Sequence, residues 1–439
     1  MSVFHHSEQQ NKGKTLLQPV AKGSTATARP GSAVSELTGL IGLMAFFASL
    51  YLCNIFELKP SLALLMLLVG TALPMIVSSF LVDRVHLNKH SALDYSLCHP
   101  WSRVIPVTLT KLIGLAATFA VIALAYSVFR NYQHPDFTAY FHILAVLAPA
   151  IWIVSPLYIA FTTRHMQNPE DDLWHFGKLI LCDFKSVDPE KIKNHCLSWL
   201  VKAFFLAFMI SIFPKILGGV LYSHFDDIDS TLIVFFLITL KITFLVDVCF
   251  GSIGYIFTLK IFDSHIRSAN PHLSAWVAAL ICYPPFAIMV ANGPLDYKSG
   301  SREWLEWFAG EPVILAIWGS LILALALIYA WATVAFGIRF SNLTNRGILT
   351  NGPYRFVRHP AYLSKNLLWW MIFMPFLSQS GPLDALQNSL LLLVVNAIYF
   401  ARARTEERHL LTDPDYRAYS GWISENGLFA RLKKWRPAE

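Results

Sequence analysis

An all-α, polytopic membrane fold with about ten helical spans is what this sequence predicts, on three observations: apolar composition, apolar stretches of spanning length and a one-sided distribution of Lys and Arg. Hydrophobic residues make up 55% of the 439, and charged residues only 14%; a soluble domain carries roughly 25% charged residues. A helix needs about 20 predominantly apolar residues to cross the hydrocarbon core. Such stretches lie at roughly 38–56, 61–83, 106–129, 141–162, 197–223, 231–259, 273–291, 312–338, 363–380 and 385–401. The last two are short and interrupted by Pro375 and Pro382, which leaves room for a paired short hairpin.

With the N-terminus inside, Lys and Arg concentrate in alternate connecting segments along the whole chain, so both termini read as cytoplasmic. The net charge of +7 follows largely from this bias and suits anionic lipid at the inner surface. The lipid bilayer is therefore the expected partner, and no nucleic acid is. Residues 1–37 mix Lys12, Lys14, Lys22 and Arg29 with small polar residues and lack an apolar h-region. They read as a disordered cytoplasmic tail, and the lack of a targeting signal points to a bacterial plasma (inner) membrane. The six cysteines show no CxxC spacing and read as structural thiols, so no metal site is expected.

Residues 38–311 form a multi-span region whose role the sequence leaves open. In its long inner loop, 163–196, Trp174, Phe176, Leu179, Ile180, Leu181 and Phe184 suggest a helix on the bilayer surface, either a packed connector or a lid. Trp304 and Trp307, in the outer loop 292–311, read as an interfacial belt. Charges at membrane depth are costly and need partners or a route to water. Lys111 and Lys202 are placed to snorkel from inner helix ends, whereas Lys215, Lys241 and Asp247 suggest a cavity or an ion pair between helices.

The remaining unit, 312–439, carries two polar clusters around one helical hairpin. The first runs from Gly337 to Tyr362 and alternates turn residues with basic and aromatic ones. Pro360 suits the first turn of a helix, and the N–H groups of Ala361, Tyr362 and Leu363 would then offer a seat for an anionic group. The second cluster begins at Arg402. Arg402 and Glu406 are four apart on one helix face, where they can hold each other.

Read together, Gly352-Pro353-Tyr354-Arg355-x-x-Arg358-His359-Pro360-x-Tyr362, then Arg402-x-x-x-Glu406-Glu407-x-x-Leu410 and Tyr416-x-x-Tyr419, resemble the isoprenylcysteine carboxyl methyltransferase and phospholipid methyltransferase superfamily over about residues 337–436. The resemblance implies a cytoplasmic site for S-adenosylmethionine and a lipophilic or isoprenoid-type methyl acceptor entering between helices. It implies cofactor contacts from His359, Pro360, Tyr362, Leu363, Glu406 and Glu407, with Arg402 orienting Glu406; beside these, Tyr354 offers an aromatic face to the sulfonium, and Arg358 and Arg402 are the catalytic candidates. Arg355 and Lys365 are the candidates for holding the acceptor. The chain departs from the family at Ser364-Lys365-Asn366, where a glycine is common, and at Asp413-Pro414, where Phe-Gly is common. Two other readings stay open: an NADPH-dependent sterol-reductase-like enzyme, and a transporter or scaffold with a degenerate module.

Overall fold

Helices with apolar bodies and polar caps dominate the computed structural model, which describes residues 28–222 and 230–434. In chain order they are α1 Glu36–Ile55, α2 Pro60–Leu81, α3 Trp101–Val128, α4 Thr138–His165, α5 Asp172–Ile180, α6 Pro189–Leu221, α7 Thr231–Ile256, α8 Leu273–Leu280, α9 Trp304–Trp307, α10 Pro312–Val334, α11 Pro360–Phe373, α12 Pro382–Leu410, α13 Pro414–Asn426 and α14 Leu428–Lys434. A two-residue strand, β1 Ser268–Ala269, pairs antiparallel with β2 Thr344–Asn345. Starts are written locally. Ser35, Asp171, Asp188, Ser230 and Asp413 cap orphan N–H groups of the helices they precede, and proline leads α2, α6, α10, α11, α12 and α13.

Among the described residues, eight helices are long and apolar enough to cross a membrane: α1 to α4, α6, α7, α10 and α12. The chain is an all-α, integral membrane protein. Two of the ten expected spans take another form. The stretch expected at 273–291 is helical only through α8, and the backbone from 281 to 303 is irregular. The stretch expected at 363–380 is helical only in α11, which stops where Met374 adopts a left-handed conformation ahead of Pro375. Hydropathy detects an apolar environment but not whether backbone groups are satisfied within one helix, so it does not separate these cases.

Several charges and aromatics sit differently from the sequence expectation. Lys111 does not snorkel; it is buried and paired with Asp171 at 3.2 Å, while Lys260 reaches the other carboxylate oxygen at 3.3 Å. Lys202 lies over the Trp199 ring at 3.5 Å. Asp247 accepts hydrogen bonds from Tyr329 at 2.7 Å and Thr333 at 2.5 Å, both on α10. Trp304 is buried against Phe236 instead of forming a belt. In the long inner loop α5 buries Trp174, whereas Ile180 at its end and Leu181 and Phe184 beyond it are exposed.

Residues 1–27 of the expected tail lie outside the described residues. From Pro30 the chain is tied down: Ala33 N–H donates to the Ile348 carbonyl at 2.8 Å, Asn351 Nδ2 donates to Val34 O at 2.7 Å, and Thr350 Oγ1 donates to Pro30 O at 2.8 Å. Cores cross the chain freely. Ala330, Val334 and Ile338 pack with Phe46, Met75 and Phe250, while Phe236, Tyr297 and Trp304 pack with Ile322, Leu368 and Leu392.

Candidate functional site

Arg346 organises the loop that follows α10. Its buried guanidinium donates to five carbonyls: Ser264 at 2.6 Å, Gly254 at 2.7 Å, Phe340 at 2.8 Å, Ile338 at 3.1 Å and Phe257 at 3.4 Å. A planar fork with five N–H groups suits such a cage. Burial, and then the neighbouring Arg339, pushes Arg346 down to about 9, which still leaves it charged at neutral pH. Arg339 donates to Arg346 O at 3.0 Å and pairs with buried Asp263 at 3.1 Å. Asp263 is also met by Arg267 at 3.3 Å and Asn88 at 2.6 Å.

The second wall comes from α12. Tyr399, Arg402, Glu406 and His409 recur at three- and four-residue spacing and so share a face. Across the gap from α11, Tyr362 Oη donates to Glu406 Oε2 at 3.1 Å. Burial holds the Tyr362 phenol well above its ordinary value; the Arg402 guanidinium opposes that and the Glu406 carboxylate adds to it, so Tyr362 stays a donor. The expected pairing of Arg402 with Glu406 does not form. Arg402 instead donates to Asn342 Oδ1 at 3.3 Å and sits 5.3–5.5 Å from the ring centroids of Tyr283, Tyr362 and Tyr399.

Between these walls lies a partly open cleft of about 1130 Å³, counting the space at its open mouth. Of the residues expected at the site, Tyr354, Arg358, His359, Tyr362, Lys365, Arg402 and Glu406 line it. Arg355, Pro360, Leu363 and Glu407 do not. Arg355 reaches Glu36 at 3.9 Å. Pro360 starts α11, and the Leu363 N–H donates to the His359 carbonyl at 3.1 Å, so it is not free for the anion seat expected there. Glu407 lies behind the cleft, bonded to His359 at 3.1 Å, with Arg404 at 3.2 Å and Arg358 at 3.6 Å. Arg358 also donates to Ser420 O, and Tyr419 Oη donates to Tyr354 O at 2.7 Å, so α13 braces the first cluster.

Residues 313–412 match the isoprenylcysteine carboxyl methyltransferase (ICMT) family. No curated protein and no solved structure matches the chain. The ICMT match opens on α10 and closes just past α12, so both walls of the cleft fall inside it. It begins earlier in the chain than the motifs alone suggested and leaves Tyr416 and Tyr419 outside, although both line the cleft. The family supports a membrane methyltransferase activity in general terms.

The cleft also has lining residues that the motifs did not single out. Tyr399 is one, and its place three residues before Arg402 on a helix was the available signal. Tyr329 and Thr333 of α10 are others, and they are oriented by Asp247. Tyr283 comes from the irregular segment far upstream, where nothing in the sequence marks it. Two buried oxygens lining the cleft, Tyr416 Oη and Thr344 Oγ1, have no hydrogen-bond partner among the described residues.

Proposed function

We propose that this chain transfers the methyl group of S-adenosylmethionine to a lipophilic or isoprenoid-type acceptor at the cytoplasmic face of a bacterial plasma membrane. The observation that carries this reading is the ICMT-family match over two clusters that share one cleft, with Tyr362 holding Glu406 at its centre. When bound, the cofactor supplies an activated sulfonium methyl group, so the protein's part is orientation and exclusion of water.

The residues present suit that cofactor. Glu406 offers a carboxylate to an amino or ribose hydroxyl group, and the orphaned oxygens of Tyr416 and Thr344 are polar groups that a ligand would satisfy. The faces of Tyr354, Tyr362 and Tyr399 suit a positive centre. Behind them Glu407 fixes His359, while Pro360 and Leu363 contribute the helix start that sets Tyr362 in place. On the acceptor side Lys365 lies 5.5–5.7 Å from the rings of Tyr329, Trp369 and Tyr399. Lys365 and Arg402 together favour an acceptor whose reacting end is anionic. Arg358, tied to Ser420 and Glu407, acts by positioning His359, while Arg355 is turned to Glu36 and takes no part in holding the acceptor.

Calorimetric titration of the purified protein with S-adenosylmethionine tests the site. Binding is expected, with affinity lowered at least about tenfold by Glu406→Ala and by His359→Ala, the scale of a charge-assisted hydrogen bond. Unchanged affinity in both variants would remove the assignment.

A further inference from the structure

The loop between α7 and α8 belongs to the upstream region and lies outside the ICMT match. It nevertheless touches both walls of the cleft. On one side β1 pairs with β2: Arg267 N–H donates to Asn345 O at 2.9 Å and Asn270 N–H to Leu343 O at 2.7 Å. On the other side Ser268 Oγ and His409 Nε2 are hydrogen-bonded at 2.9 Å, and Asn270 Nδ2 donates to the Thr405 carbonyl at 3.2 Å. These two contacts flank Glu406 on α12.

The loop is itself anchored from behind. Ala269 N–H donates to Asn194 Oδ1 at 2.8 Å, and Asn194 Nδ2 donates to Asp172 of α5 at 2.5 Å. Trp276 Nε1 donates to Asn270 O at 2.8 Å, and Asn270 Oδ1 accepts from the His272 N–H at 3.0 Å. A smaller cleft separates α8 from α12, with Asn270 and Ala279 facing Thr405, Glu406 and His409, and it shares Glu406, Tyr362 and Arg402 with the main one.

We infer that Ser268 and Asn270 are positioning residues of the cleft: the upstream region completes the cofactor site by clamping α12 to the loop after α10, so that Glu406 meets Tyr362 at bonding distance. The inference rests on the reading given under Proposed function. Part-buried hydrogen bonds that fix two rigid elements, here anchored on buried Asn270 and His409, are the kind of support a binding constellation needs to hold its geometry. The upstream helices then act as the frame of the same site rather than as a second activity.

The full chain in lipid nanodiscs, titrated calorimetrically with S-adenosylmethionine, tests this with Ser268→Ala and Asn270→Asp. Asp keeps the acceptor for His272 but has no donor for the Thr405 carbonyl. Each variant is expected to weaken binding about 3- to 10-fold, one hydrogen bond's worth. Ser268→Thr, which keeps the hydroxyl, is expected to bind as the unmodified chain does, and the ligand-free thermal midpoint is expected to stay within a few degrees in all three. In a Glu406→Ala background Ser268→Ala is expected to add no further loss, because coupled positions are not additive. Binding as tight as that of the unmodified chain in both Ser268→Ala and Asn270→Asp would overturn the clamp while leaving the cofactor reading intact. The same loss with and without Glu406 would overturn positioning through that carboxylate. No binding by the unmodified chain would overturn the cofactor reading and the clamp with it.

Discussion

Tyr416 carries a prediction at the scale of a single side chain. Its hydroxyl is buried without a hydrogen bond among the described residues, and burial, followed by the nearby Glu407 and Glu406 carboxylates, raises its phenol well above the ordinary value. An unpaired buried hydroxyl costs stability, on the order of 1–3 kcal/mol. Removing it therefore has opposite effects on the empty and the loaded protein. Tyr416→Phe is expected to leave the thermal midpoint of the ligand-free protein unchanged or raise it, while weakening S-adenosylmethionine binding about 3- to 10-fold by titration. A weaker fold with unchanged binding would mean that the hydroxyl serves the scaffold. At this scale the sequence was informative about types and less so about partners. Glu406 and Tyr362 stood out in the motif, but Arg402 turned away from Glu406 to Asn342 and three rings, because helix spacing permits a pair without enforcing it.

Among elements, the segment that leads into α1 is tied to the loop before α11 by backbone and side-chain bonds. Gly347 lies under that strap with φ at +106°, and a Cβ there would come within 2.7 Å of Ala33 Cβ and 3.1 Å of Arg339 Nη1. Gly347→Ala is thus strained by conformation as well as by contact, with an expected loss of about 1–3 kcal/mol. Chemical unfolding would measure that loss, and limited proteolysis would show whether the strap before α1 becomes cleavable. Helix existence was legible in the sequence from apolar length and from the Ser, Asp and Pro residues at helix starts. The two misjudged spans were not. α8 and the irregular backbone after it, like the short α11, are apolar by composition, and their shape depends on which neighbours satisfy their backbone.

For the whole molecule, one part-buried charge cluster ties three regions together. Asp171 at the start of α5 meets Lys111 of α3 and Lys260 after α7. Burial alone would raise its carboxyl, but the two ammonium groups, the Lys111 hydrogen bond and the Trp174 N–H outweigh that and hold it well below the usual carboxylate range. A carboxyl depressed on folding contributes stability that is fully present above its unfolded value of about 3.9 and is lost as the pH falls below it. Asp171→Asn is expected to cost about 3 kcal/mol at neutral pH, since it leaves two lysines without their counter-charge. It is also expected to flatten the loss of thermal midpoint below about pH 4. An unchanged acid profile in the variant would show that other carboxyls control acid stability.

By itself the sequence determined an all-α membrane protein, the uneven distribution of Lys and Arg among its loops and the two polar clusters around its last helical hairpin. Composition and periodicity report locally whether a stretch faces lipid, core or water, and those are the properties they settle. Tertiary structure alone decided that the clusters close on one cleft, that Tyr283 and the loop through Ser268 and Asn270 reach it from upstream, and that Ser32 bonds to Thr350 across 318 residues. Such contacts depend on how helices pack against one another, and packing between distant segments leaves no periodic trace in the chain.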